Sequence, residues 1–205
     1  MKLELVDFYL DEHAAVHSRA VALPESGVPI EDLVYKGLTD DMARRRPGSG
    51  LNSVAWLTWH MARCEDVAMN AIIADQTQVL ESEGWAERLH LDRQDIGTGM
   101  SDAEVGDLTS RVDISELRAY RAAVGRQTRE IIRQLSPADL TQLANPERIA
   151  RAFASGAVVK NGRWVEKFWD GKSVGFFLWL GTGHNFMHLG EANLIRTLVG
   201  AGPGV

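Results

Sequence analysis

Cysteine is almost missing from this chain: Cys64 is the only one among 205 residues. A single thiol excludes an internal disulfide and any zinc or iron–sulfur centre built from several cysteines, and it makes a reducing, cytoplasmic setting the default expectation. Basic residues are outnumbered, 22 against 28 acids, and the net charge of −6 excludes a dominant nucleic-acid surface of clustered Lys and Arg. The one dense basic run, Arg44-Arg45-Arg46, precedes Pro47 and reads as a solvated loop or the end of a short helical turn. Long apolar runs are scarce too. Met1-Lys2-Leu3-Glu4-Leu5-Val6-Asp7 carries acids where a signal peptide needs an apolar core, so export is not expected. Ser173 to Gly190 has the length of a membrane span but holds His184, His188, Asn185 and four glycines, so a buried bundle helix is the better reading and no membrane partner is expected.

What is present suffices for one substantial core, with 45% hydrophobic and 24% charged residues, and residues 1–205 read as a single domain. Four long helical patterns dominate. The first runs from about Leu3 to Val21, with Leu3, Val6, Leu10, His13, His17 and Ala20 on one side. The second starts at a cap on Asn52 or Ser53 and runs to about Ala74, with Leu57, His60, Cys64, Val67, Ala68 and Ala71 inward and Glu65 and Asp66 towards the outside. A long polar crossover follows, ending in Gly97-Thr98-Gly99. Ser101 with Glu104 reads as a capping box for a short helix, and Asp113 with Glu116 starts a third long helix through about Leu135. Ser173 caps the fourth, which runs to about Val199. Between them, Asn161-Gly162 separates two short apolar runs within Val158–Val165, the signature of a type I′ hairpin, with helix or loop as the alternative. The expected fold is all-α: a four-helix bundle with long crossover connections and room for one small β-hairpin.

His184 and His188 stand four residues apart on the apolar final helix. On a helix, positions i and i+4 lie within about 40° of each other and one turn apart, so both ring nitrogens can converge on one ion. His60, near the middle of the second helix's inward stripe, is the candidate third ligand, against the competing reading of a hydrogen-bonded core histidine. Neutral imidazole offers a lone pair at neutral pH without a buried charge. Glu191 follows His188 by three residues on the same face. It is the candidate catalytic residue, with three open roles: ligand, acceptor for an imidazole N–H, or proton carrier. His13 and His17 repeat the i, i+4 spacing and face inward; packing or hydrogen bonding ranks first for them, lining of the site second and ligation last. Cys64 lies one turn beyond His60, in an apolar setting that favours a buried structural thiol over a thiolate ligand. Trp56, Trp59, Trp164, Trp169 and Trp179 read as core or pocket walls rather than base-stacking platforms.

The segment Ser53-Val54-Ala55-Trp56-Leu57-Thr58-Trp59-His60-Met61-Ala62-Arg63-Cys64-Glu65-Asp66, followed far downstream by Gly183-His184-Asn185-Phe186-Met187-His188-Leu189-Gly190-Glu191-Ala192-Asn193, resembles the DinB-like superfamily. These are metal-binding four-helix proteins related to the mycothiol-dependent maleylpyruvate isomerases. The resemblance implies a divalent ion, zinc or nickel, on His60, His184 and His188, and a low-molecular-weight thiol such as mycothiol or bacillithiol as co-substrate. The isomerase branch has a carboxylate at one of these positions, where this chain has histidine throughout. The resulting expectation is a metal-dependent transferase that activates a small thiol for attack on a small-molecule electrophile. A metal-dependent hydrolase and a non-catalytic, stress-linked metalloprotein are the alternatives, and a homodimer is compatible with each.

Overall fold

In the computed structural model, which describes residues 5–82 and 84–204, the chain is all-α. The helices are α1 (Leu5–Ala15), α2 (Ile30–Tyr35), α3 (Asp40–Arg44), α4 (Val54–Asp66), α5 (Trp85–Arg88), α6 (Asp102–Arg111), α7 (Ile114–Arg133), α8 (Pro146–Ala154), α9 (Trp164–Trp169), α10 (Val174–Leu180) and α11 (Gly183–Leu198). Among the described residues the sole β pairing is an isolated bridge between Leu143 and Ser173. No described helix is long and apolar enough to cross a membrane.

The caps expected from the sequence form. Ser53, Asp113 and Ser173 each accept an N–H from the first turn of α4, α7 and α10, and Ser101 with Glu104 makes both bonds of a capping box. α4 continues as a π-helix over Val67–Ala74, so the second long segment ends near Ala74 as its pattern indicates. It is the axis of the molecule and packs chiefly on α7 and α11. Leu57, Trp59 and Met61 meet Leu117, Tyr120 and Val124 of α7 and Leu189, Ala192 and Ile195 of α11 in one core cluster. Each such side chain, fully removed from water, stabilises the fold by roughly 1.5–3 kcal/mol.

Four expectations need correction. Glu65 and Asp66 do not face outward: every residue of α4 is buried. Their charges find partners inside, Asp66 accepting from the Arg63 guanidinium at 2.9 Å, the Tyr120 hydroxyl at 2.6 Å and the backbone amides of Val79 and Leu80. The first helix is shorter than its apolar pattern. α1 ends at Ala15, so His17 and Ala20 lie in the turn beyond it, and Leu3 falls outside the described residues. The last helix is two helices, broken at Gly181-Thr182. A Cβ on Gly183 would lie 2.0 Å from Nε1 of Trp179, so glycine there lets the indole fold over the start of α11.

Val158–Val165 is likewise not a hairpin but a 3-10 turn at Lys160–Gly162 leading into α9. Gly162 has no positive φ, which a type I′ turn requires. It serves close approach instead: a Cβ there would lie 2.1 Å from the Thr98 carbonyl oxygen, and a Cβ on Gly99 would lie 2.2 Å from the Gly162 nitrogen. The end of the crossover therefore rests directly on the backbone before α9. The arginine run closes the short helix α3, the second of its two readings, and is anchored there, Arg44 bonding the Thr109 and Val112 carbonyls and Arg45 the Val199 carbonyl.

Candidate metal centre

His60 projects from the middle of α4 and stacks on Trp56, ring centroids 5.0 Å apart and planes 8° from parallel. Its Nδ1 lies 2.5 Å from the Ile96 carbonyl oxygen. A carbonyl only accepts, so Nδ1 carries the proton and Nε2 is left with a bare lone pair. The carbonyl is held in place by the crossover's own bonds: Ile96 N donates to the Ala157 carbonyl at 2.8 Å, and the Trp59 indole N–H to the Asp95 carbonyl at 3.1 Å. From the first turn of α11, His184 brings its Nε2 to 3.2 Å from His60 Nε2. One turn later His188 places its ring centroid 4.8 Å from that of His60 and 4.6 Å from that of His184. His188 Nδ1 donates to a Glu191 carboxylate oxygen at 3.0 Å, which leaves its Nε2 bare as well, and the other Glu191 oxygen accepts from Asn52 at 2.9 Å. The structure thus gathers His60, His184, His188 and Glu191 at one place.

Burial, followed by the charge of His188, lowers the His60 pKa to about 4, so the ring is neutral at pH 7. Burial and then His60 and His188 lower that of His184 to about 2. The hydrogen bond from His188 holds Glu191 below its ordinary range, as a carboxylate. Cys64 Sγ lies 3.8 and 3.9 Å from the two His60 ring nitrogens, and the set of ligand atoms within 4.8 Å of one another is His60, Cys64 and His184. Burial pushes the Cys64 thiol well above its ordinary pKa, which disfavours the thiolate a metal needs. Of the two neighbours, His188 is therefore the better donor. A cleft of about 370 Å³ opens on His60, walled by Arg46, Asn52, Trp56 and the Gly97–Met100 backbone.

These helices, with a histidine on α4 and an i, i+4 pair on the last helix, match a known group over most of the chain: the family profile described as the DinB superfamily covers residues 32–192. The chain belongs to the DinB superfamily. A crystal structure of a conserved protein from Enterococcus faecalis has the same fold, with a TM-score of 0.66 and 21% identity over 96% of this chain and 97% of that one. No curated protein matches.

This DinB-superfamily chain holds a second histidine group. His13 Nε2 and His17 Nε2 donate to the two oxygens of Glu65 at 2.9 and 3.0 Å, and Asn185 Nδ2 donates to one of those oxygens at 2.8 Å. His13, His17, Glu65 and Asn185 are all fully buried. Burial alone would push the Glu65 carboxyl up, but the imidazoles of His17 and His13 outweigh it and hold the group well below its ordinary range. The inward pair His13 and His17 was legible in the sequence, whereas Glu65 was not. The missing signal was demand: two inward imidazoles need hydrogen-bond partners, and Glu65 on the wholly buried α4 supplies them. His60 with Cys64 and His184, and His13 with His17 and Glu65, are the two groups of three or more donors close enough to hold a metal ion among the described residues.

Proposed function

We propose that this protein is a metal-dependent thiol transferase in which His60, His184 and His188 hold one divalent ion, zinc or nickel, through Nε2, while Glu191 orients His188. The reading is carried by three convergent imidazoles, two of which have their Nδ1 committed to fixed acceptors, as metal-bound histidines characteristically do. Two nitrogens each about 2.0 Å from a tetrahedral ion stand about 3.3 Å apart, and the His60 and His184 Nε2 atoms are 3.2 Å apart. When bound, the ion supplies a Lewis acid that lowers the pKa of a small cellular thiol of the mycothiol or bacillithiol type.

The chain's own residues do the rest. His60 and His184 are kept uncharged by burial and present lone pairs at neutral pH. Glu191, itself fixed by Asn52, locks the tautomer and the orientation of the His188 ring. Trp56 and the crossover backbone bound a cleft of about 370 Å³, which suits a small electrophile and a small thiol rather than a polymer. Arg46 lines that cleft with its guanidinium committed to Asp102 and the Leu51 carbonyl, so it is a wall rather than an anion trap.

The test is metal analysis of protein never exposed to nickel resin, followed by transfer assays. Wild type and His90→Ala should carry one equivalent more of divalent metal than His60→Ala, His184→Ala or His188→Ala. Equal metal in all five removes the triad. Conjugation of an electrophile with mycothiol, bacillithiol or glutathione should then require the ion. Turnover with water and no thiol would make the protein a hydrolase, and full metal with no turnover would make it non-catalytic.

A further inference from the structure

The group around Glu65 is separate from the cleft, and the thiol chemistry leaves it unused. It sits where α1, α4 and the start of α11 meet, sealed from solvent, and one nitrogen from each of His13, His17 and Asn185 meets the Glu65 carboxylate. His13 and His17 stack, ring centroids 4.2 Å apart, with both Nε2 atoms turned to Glu65. The Nδ1 of each ring is buried without a partner among the described residues, so Glu65 is the sole polar contact of each imidazole. The carboxylate is enclosed by two imidazoles and one amide. Arg121, the nearby buried cation, spends its charge on Glu31 at 2.9 Å and on the Val16 carbonyl. A carboxylate sealed in a protein interior is expensive by several kcal/mol, and such charges are ordinarily paired or bound to metal.

We infer that His13 Nε2, His17 Nε2 and the two oxygens of the Glu65 carboxylate form a second divalent-cation site, structural in role, that fastens α1 to the bundle. Two imidazoles and one carboxylate are a ligand set that zinc accepts. His13 Nε2 lies 2.9 Å from one Glu65 oxygen and His17 Nε2 3.0 Å from the other, and one ligand atom from each of the three residues lies within 4.8 Å of the other two, close enough for a single ion to bridge them. Binding balances without proton release: each ring shifts its proton from Nε2 to Nδ1 and the carboxylate is already ionised. Asn185 continues to hold Glu65 through Nδ2 and ties this group to the helix that carries His184 and His188. Because the site is closed, its ion should load as the chain folds and exchange slowly, whereas an ion in the open cleft should exchange fast.

Metal-stripped full-length protein refolded with cobalt(II), then passed through a desalting column, provides the test. Wild type should retain two equivalents per chain, one removed within minutes by EDTA and one surviving it. Glu65→Gln, which keeps the shape, should lose the slow equivalent and keep the fast one, while His188→Ala should do the reverse. His17→Gln provides a second variant should Glu65→Gln fail to fold, as judged by circular dichroism. A wild type holding one equivalent that Glu65→Gln retains overturns this site and leaves the cleft site standing. One equivalent lost in Glu65→Gln but retained in His188→Ala supports this site and overturns the cleft site. Two equivalents unaffected by both Glu65→Gln and His17→Gln place the second ion elsewhere and overturn the proposal.

Discussion

The two histidine groups use the same helices to opposite ends. Around His60, which lines the cleft, two of the three imidazoles are braced from behind, His60 by the Ile96 carbonyl and His188 by Glu191, and the Nε2 atoms of His60 and His184 face each other with no acid between them. Around Glu65 the imidazoles face a carboxylate in a sealed interior and have nothing behind them. One arrangement commits its outer contacts to keep an inner position open, and the other commits its inner contacts to close it. The lesson is that histidine spacing identifies convergence but not use: both pairs are i, i+4, and what differs is which nitrogen the surroundings occupy.

Removing the centre of each group should sharpen the contrast. In metal-free protein, Glu65→Ala leaves two imidazoles and an amide without their partner and should lower unfolding free energy by about 3–5 kcal/mol in urea titration. His188→Ala, at a partly exposed site, should lower it by about 1 kcal/mol or less. Equal losses would erase the division into a structural and a functional group. Next in size is Glu191→Gln, which should weaken metal binding at the cleft about 10- to 100-fold with little change in melting temperature. A loss of about 10²- to 10⁴-fold in turnover with metal affinity intact would instead make Glu191 a proton carrier.

Acid should act on both groups. The folded-state pKa values of His17 and His60 are lowered by burial to about 3 and about 4, from 6.5 in an unfolded chain. Between those values the unfolded chain binds more protons, so the stabilisation is complete above pH 6.5 and is lost as pH falls towards 4 and 3. Each residue steepens the loss by up to about 1.4 kcal/mol per pH unit. Glu65, with its lowered pKa, adds loss in the same direction below pH 4.5. A metal-free chain as stable at pH 4 as at pH 7 would contradict the neutral, buried state of these rings. The smallest effect belongs to Cys64→Ala, which should leave metal content unchanged and lower stability by about 1 kcal/mol. Loss of the cleft ion in that variant would put the thiol in the place of His188.

Much of this was legible in advance because it is local. Ser53, Ser101, Asp113 and Ser173 mark helix starts through a side-chain oxygen and the next turn's amides, and those bonds form. The inward placing of His60, His184 and His188 follows from helical period alone. Long-range settings were harder to read. An acid on a helix normally marks the solvent side, but α4 is surrounded, and the donors that make Glu65 and Asp66 tolerable come from α1, α7, α11 and the crossover. Asn161-Gly162 misleads for a related reason, since glycine is needed there to admit a distant backbone rather than to turn its own. The break before α11 depends on where one indole lies, which periodicity does not encode.

That backbone contact between Thr98-Gly99 and Gly162 also sets a timetable. The wall of the cleft is translated early, yet what it leans on emerges much later, and His184 and His188 later still. At roughly 5–20 residues per second, a ribosome needs several seconds to travel from Gly99 to Gly162. Through that interval α4 must carry His60, Arg63, Glu65 and Asp66 without the full set of neighbours that they have in the finished molecule. A chain released in that interval would carry every residue that walls the cleft, from Arg46 to Val105, but neither the backbone they lean on nor the two histidines of α11.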